Sequence, residues 1–129
     1  MEYIIRFDGA SKGNPGKASS AALLYCHNEI IDKISQKHSE LLTNNQAEYI
    51  GCLLGIELAI KHQIKKVKIE GDSQLIIYQL CGKYKCKNDK LIVYHSKIKE
   101  LIKSFETIEY QWIPRKLNKD ADELCNNLF

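Results

Sequence analysis

Thr43-Asn44-Asn45-Gln46-Ala47-Glu48 is the stretch that decides how this 129-residue chain folds. A threonine followed three residues later by a glutamine, ahead of an apolar periodic run, matches the capping box. There the hydroxyl accepts from the third helical amide, and the glutamine side chain reaches back to the cap. A helix is predicted from here to about Lys61, with Ala47, Ile50, Leu54 and Leu58 recurring at helical spacing. Upstream the pattern is different. Tyr3-Ile4-Ile5-Arg6-Phe7 is aromatic and β-branched and reads as a strand closed by Asp8. Gly9 to Gly16 reads as a loop punctuated by Gly and Pro. Ser20–Cys26 and Ile30–Lys37 read as two further strands about the turn His27-Asn28-Glu29.

Downstream, Lys65–Glu70 alternates basic and apolar residues as a half-buried strand does. Gly71-Asp72-Ser73 is a sharp turn into a helix that runs to about Cys81. Gly82–Asn88 is a short basic connection, and Leu91–Phe105 is helical. Thr107–Ile113 is a last strand, Pro114–Leu117 a loop, and Asn118 caps a final helix with Ala121, Leu124, Cys125 and Leu128 on its apolar side. The order β-β-β-α-β-α-α-β-α joins a meander to parallel crossovers. The expected fold class is α/β: one mixed five-stranded sheet with helices packed on it, as a single domain over residues 1–129.

Composition agrees with that reading. Hydrophobic residues make up 44% and charged residues 27%, which is ordinary for a globular domain and excludes a disordered or fibrous chain. The net charge of +3 is mild, but it is unevenly spread. Between residues 63 and 104 ten lysines face four acids, a surplus of +6 that leaves −3 elsewhere. A basic region beside an acidic remainder fits a surface that holds a polyanion next to an acidic site; a solvated lysine-rich helix face is the plain alternative. Five cysteines without a CxxC pair exclude a zinc site and argue against a disulfide framework. Cys26, Cys52, Cys81 and Cys125 sit among apolar residues and read as small core residues. The N-terminus is neither a signal peptide nor a membrane span, so a reducing, cytoplasmic setting without membrane contact is expected.

Four acids hold special places: Asp8 at the end of the first strand, Glu48 early in the first helix, Asp72 just after the fourth strand, and Asp122 early in the last helix. Each has a structural explanation of its own. Asp72 suits a helix cap, Glu48 and Asp122 favour helix dipoles, and Asp8 suits a turn. In open α/β sheets, however, sites collect near strand ends and helix starts. Four carboxylates converging there repel one another unless divalent cations neutralise them, and hard oxygen ligands suit Mg²⁺ or Mn²⁺. Two such ions roughly 3.5–4 Å apart activate a water and stabilise the leaving oxygen of a phosphodiester.

Four blocks, in order across nearly the whole chain, resemble type 1 ribonuclease H. They are Phe7-Asp8-Gly9-Ala10 with Gly13-Asn14-Pro15-Gly16; Thr43-Asn44-Asn45-Gln46-Ala47-Glu48; Glu70-Gly71-Asp72-Ser73; and Trp112-Ile113-Pro114-Arg115 with Asn118-Lys119-Asp120-Ala121-Asp122. The resemblance implies the ribonuclease H-like fold and metal-dependent hydrolysis of the RNA strand of an RNA–DNA hybrid. It implies two Mg²⁺ ions, replaceable by Mn²⁺, and a 5′-phosphate and a 3′-hydroxyl as products. Asp8, Glu48, Asp72 and Asp122 become both catalytic residues and metal ligands. In the crowded last block the family pattern Asn-x-x-x-Asp selects Asp122, four residues after Asn118, over Asp120.

The resemblance also implies the substrate contacts. Gly9, Asn14, Asn44, Asn45 and Gln46 match groove-binding positions, where short amides suit the 2′-hydroxyl that marks RNA. Thr43 matches a position that helps hold a DNA-strand phosphate. Their structural alternative is turn and cap chemistry. The long basic insertion of some members is absent. Lys83, Lys85 and Lys87 stand in its place, so a weaker grip with steep salt dependence is expected. No His lies between Trp112 and Asn118, and Arg115 takes a related electrostatic role, as in short-form members. A monomeric, free-standing enzyme is expected. The rivals are another nuclease of this fold acting on DNA, against which the Asn44-Asn45-Gln46 cluster argues, and an inactive hybrid-binding module, against which the intact acids argue.

Overall fold

The computed structural model describes residues 2–129. The chain runs β1 (Tyr3–Ser11), β2 (Gly16–Cys26), β3 (Glu29–Leu42), α1 (Asn44–Lys61), β4 (Lys66–Gly71), α2 (Gln74–Leu80), α3 (Asp89–Leu101), β5 (Thr107–Trp112) and α4 (Lys119–Asn126). Single 3₁₀ turns at Ile102–Ser104 and Arg115–Leu117 follow α3 and β5. One five-stranded sheet has the order β3-β2-β1-β4-β5. β1 and β3 pair antiparallel with β2, whereas β4 pairs parallel with both β1 and β5. This is the mixed sheet expected from the order of elements.

Alternation along the strands explains why both faces are covered. Ile5, Phe7 and Leu24 point into the main core with Tyr49, Leu53 and Ile56 of α1, Ile76, Ile77 and Leu80 of α2, and Leu91 and Ile98 of α3. Ile4, Leu23 and Tyr25 point the other way, against Ala121 and Leu124 of α4. Each buried aliphatic side chain of this kind contributes roughly 1.5–3 kcal/mol relative to exposure.

The first three strands are longer than expected. β1 does not stop at Asp8 but continues to Ser11, because Asp8, Gly9 and Ala10 pair with Ala21, Ser20 and Ser19. β2 begins at Gly16, on small residues that look unlike a strand. They are small because the strand is covered on both sides: Ser20 Oγ donates to the Ala47 carbonyl of α1 at 2.6 Å, and Ser19 Oγ donates to the Cys125 carbonyl of α4 at 2.7 Å. β3 is an edge strand with an exposed polar second half, so its sequence carries little alternation.

The capping box is formed. Thr43 Oγ1 accepts from the Gln46 amide at 3.1 Å, and Gln46 Oε1 accepts from the Thr43 amide at 2.9 Å. The cap of α2 is Ser73, whose hydroxyl accepts from the Ile76 amide, so Asp72 is released from the capping role open to it in the sequence. Asn88 caps α3, which starts two residues before the expected Leu91. Cys52 and Cys125 are core residues as expected, but Cys81 at the end of α2 is exposed and Cys26 only half-buried; all five thiols are free. Among the described residues no helix is long and apolar enough to cross a membrane.

Candidate active site

The parallel register of β1 and β4 sets the centre of the site. Phe7 pairs with Gly71, and Gly71 pairs in turn with Trp112 of β5. One step further along lie Asp8 and Asp72. There β4 ends while β1 continues against β2 alone, which leaves space beside Asp8 at the carboxyl ends of the parallel strands.

Glu48 comes to the same place because α1 touches β1 main chain to main chain. A Cβ on Gly9 would lie 2.2 Å from Ala47 C and Glu48 N, and one on Gly51 would lie 2.4 Å from the Asp8 carbonyl oxygen. No side chain fits between the two elements. Carboxylate oxygens of Asp8, Glu48 and Asp72 accordingly lie within 4.8 Å of one another.

Burial sets the electrostatics of this trio. Asp8 is 6% exposed. Burial first, then the charges of Asp72 and Glu48, push its carboxyl up to about 9, against a weaker opposing effect of the Gly9 amide that donates to it at 2.9 Å. Glu48 is pushed up to about 7 by burial and then by Asp72, opposed by the Ser73 hydroxyl and Arg115. Asp72 is also raised, chiefly by burial, with the Asn118 amide and Arg115 acting against the shift. Repulsion among the carboxylates contributes to these shifts, but burial is the larger cause for all three.

Asp122 lines the same cleft without belonging to the tight trio. It acts on both Asp8 and Asp72. Arg115 Nη2 reaches its Oδ1 at 3.4 Å, and Asn126 Nδ2 donates to the same oxygen at 3.1 Å. Asp120 is elsewhere: its Oδ2 accepts from the Tyr25 hydroxyl at 2.9 Å. The two aspartates thus lie apart, Asp122 on the cleft and Asp120 against Tyr25.

Asn118 has a role that sequence reasoning missed. It occupies the N-cap position of α4, yet its side chain makes no cap bond. Its Nδ2 donates to the Phe7 carbonyl at 2.9 Å and reaches Asp72 Oδ2 at 3.4 Å, tying α4 to β1 and to Asp72. Its Oδ1 is buried without a partner. Nothing in an Asn before a helix distinguishes this from a cap.

A second groove lies next to the acidic cleft. It is lined by Asn14, Thr43, Asn44, Asn45, Lys87, Asn88 and Lys90, among others. Asn44 belongs to both. The side-chain oxygens of Asn14 and Asn44 are used within the fold, accepting from the Asn44 and Ser11 amides at 3.1 and 2.9 Å. Each amide also carries two N–H donors, and the Thr43 hydroxyl, whose oxygen accepts within the cap, carries one O–H donor. Gln46 lines neither hollow. Of the three lysines expected to grip substrate only Lys87 reaches the groove, where Lys90 joins it. Lys83 instead sits 4.7 Å over the Tyr78 ring.

This topology, with carboxylates from β1, α1, the end of β4 and α4 in one cleft, defines a ribonuclease H-like domain. A family model described as reverse transcriptase-like matches residues 6–128. The chain is 33% identical over 129 residues to the bifunctional protein Rv2228c of Mycobacterium tuberculosis, covering 98% of this chain and 35% of that protein. It thus spans about a third of the length of its mycobacterial relatives. The solved RNase H1 of the halophilic archaeon Halobacterium salinarum superimposes with a TM-score of 0.93 at 31% identity, over 98% of this chain and 96% of that one. LC11-RNase H1, solved in complex with an RNA/DNA hybrid, superimposes with a TM-score of 0.91 at 30% identity, over 98% and 95%. The chain belongs to the type 1 ribonuclease H family.

Proposed function

We propose that this chain is a metal-dependent endoribonuclease that hydrolyses the RNA strand of RNA–DNA hybrids, acting as a single monomeric domain. The observation that carries the reading is the adjacency of two unlike surfaces: a carboxylate trio that is buried at Asp8 and half-buried at Glu48 and Asp72, and a groove of amides, a hydroxyl and lysines that shares Asn44 with its cleft. The first suits phosphodiester chemistry; the second suits a duplex in which one strand carries 2′-hydroxyls.

The donor set fits Mg²⁺ or Mn²⁺. It offers only hard oxygens, crowded within 4.8 Å and half-buried or buried. Asp8, Glu48 and Asp72 would hold the cations, with Asp122 completing the set. Held there, two such cations would supply a water activated for attack and charge to stabilise the departing 3′-oxygen, the chemistry that would leave a 5′-phosphate and a 3′-hydroxyl.

The protein's own part is positioning. Asn118 fixes Asp72, the Ser73 hydroxyl restrains Glu48, and Arg115 with Asn126 holds Asp122 towards the cleft. Asn14, Asn44 and Asn45 read groove atoms of the hybrid, with the Gly9 main chain close to the strand that is cut. The Thr43 hydroxyl donates to a DNA-strand phosphate, and Lys87 and Lys90 add charge there. Gln46, which lines neither hollow, supports this surface through the cap.

The test is cleavage of labelled RNA–DNA hybrid, RNA duplex, DNA duplex and single strands with Mg²⁺, Mn²⁺ or EDTA. The expected result is cutting of the RNA strand of the hybrid alone, abolished by EDTA. Cleavage of DNA duplex, or equal cleavage of RNA duplex, overturns the proposal.

A further inference from the structure

Two cations line the acidic cleft, Lys12 and Arg115. Arg115 is already engaged, with Nη2 3.4 Å from the Asp122 carboxylate. Lys12 is not: among the described residues no carboxylate lies within ion-pair distance of its ammonium. Four acids share this cleft, yet its lysine turns to an aromatic ring instead. The Lys12 Nζ sits 4.8 Å from the centroid of Phe129. A ring face steadies an ammonium without consuming its three N–H donors, so these remain available to oxygen.

The segment bearing Lys12 is also fixed. The Lys12 amide donates to the Lys17 carbonyl at 2.8 Å, the Ser11 amide donates to Asn44 Oδ1 at 2.9 Å, and Ser11 Oγ donates to the Leu42 carbonyl at 2.8 Å. The β1–β2 turn is thereby fastened to the end of β3 and the start of α1, between the acidic cleft and the amide groove. A cation presented from a fastened turn loses little freedom when it meets a ligand. A polyanion approaching four carboxylates needs such a charge at the lip of the cleft.

We propose that Lys12, seated on the Phe129 ring, binds a backbone phosphate of the nucleic acid entering the cleft, next to the phosphate that is cut. The assignment rests on the hybrid-cleaving reading above. It gives the short-form domain a phosphate contact on the β1–β2 turn, far in sequence from the lysine-rich segment where the grip was expected.

The experiment compares the parent with Lys12→Gln, Lys12→Arg and Phe129→Leu. Steady-state cleavage of hybrid is measured across a salt series, and anisotropy of a labelled hybrid is measured in EDTA. Lys12→Gln is expected to weaken binding and raise KM roughly three- to tenfold, more than it changes kcat, and to flatten the log–log salt slope by roughly 0.7–0.9, one phosphate contact. Lys12→Arg should restore the slope. Phe129→Leu should weaken binding with the slope kept, because the charge remains. Unchanged affinity and slope in Lys12→Gln overturn the assignment. So does an affinity loss with unchanged slope that Phe129→Leu and Lys12→Arg reproduce equally, which marks a structural clasp. A parent that neither binds nor cuts hybrid overturns the ribonuclease reading itself, whereas a parent that cuts hybrid beside an unaffected Lys12→Gln removes Lys12 alone.

Discussion

The indole Nε1 of Trp112 donates to the main-chain carbonyl of Asp72 at 3.1 Å. Trp112 is the only tryptophan in the chain and is 37% exposed. The end of β5 thus holds the turn on which Asp72 stands, and a fluorophore touches the candidate metal site.

Mg²⁺ should therefore change the intrinsic tryptophan emission in a saturable way, and Asp72→Asn should abolish most of that change. Trp112→Phe removes one hydrogen bond, worth about 1 kcal/mol, and should lower the melting temperature modestly. An emission unaffected by Mg²⁺ in the parent, while Mg²⁺ still raises its melting temperature, would place the ion away from Asp72.

The acidic trio sets a pH dependence whose sign follows from its raised pKa values. Asp8 at about 9 and Glu48 at about 7 keep protons in the fold that the unfolded chain has released near pH 4. Their contribution to stability is full below pH 4 and is lost as pH rises towards 9. In EDTA the melting temperature should fall between pH 5 and 9. Asp72→Asn should melt higher than the parent in EDTA at pH 7 and be inactive. Because burial is the larger cause for Asp8, the variant should retain part of the slope. Mg²⁺ should raise the parent's melting temperature more than the variant's. A variant that melts lower in EDTA and gains equally from Mg²⁺ would remove Asp72 from the cluster.

The last block offers a comparison between neighbours. Asp122→Asn should lose nearly all activity while folding normally. Asp120→Asn weakens a half-buried contact with the Tyr25 hydroxyl, costs at most about 1 kcal/mol, and should stay active. The reverse pattern in a paired activity and melting measurement would reassign the fourth carboxylate.

Asn45 and Thr43 should separate recognition from stability. The capping box belongs to Thr43 and Gln46, whereas Asn45 lines the groove. Asn45→Ala is expected to raise KM for hybrid with little change in melting temperature. Thr43→Ala should also lose about 1 kcal/mol of stability as the cap is removed. Normal kinetics with a lowered melting point in Asn45→Ala would make that residue structural.

The start of α1 was legible because its cap is local: Thr43 and Gln46 lie within one turn of each other. The acids stood at strand ends and helix starts, where chemistry gathers in such sheets. What escaped the sequence was non-local. β2 needs small residues at Ala18–Ala22 because helices cover it on both sides, and small residues give no strand signal. Asn118 turns from its own helix to the Phe7 carbonyl, 111 residues away. Lys83 and Lys85 looked equivalent to Lys87 in a basic run, but of the three only Lys87, next to the Asn88 cap of α3, lines the groove.

The contact of Gly9 and Gly51 across β1 and α1 gives the separation of Asp8 and Glu48 an unusual kind of tolerance. Where side chains separate two elements, repacking slides them and a gap behaves like a spring. Here main chain rests on main chain, and the gap behaves like a machined stop. Core substitutions elsewhere in the domain should drain stability long before they alter that dimension, so weakened variants should lose activity by unfolding rather than by becoming imprecise.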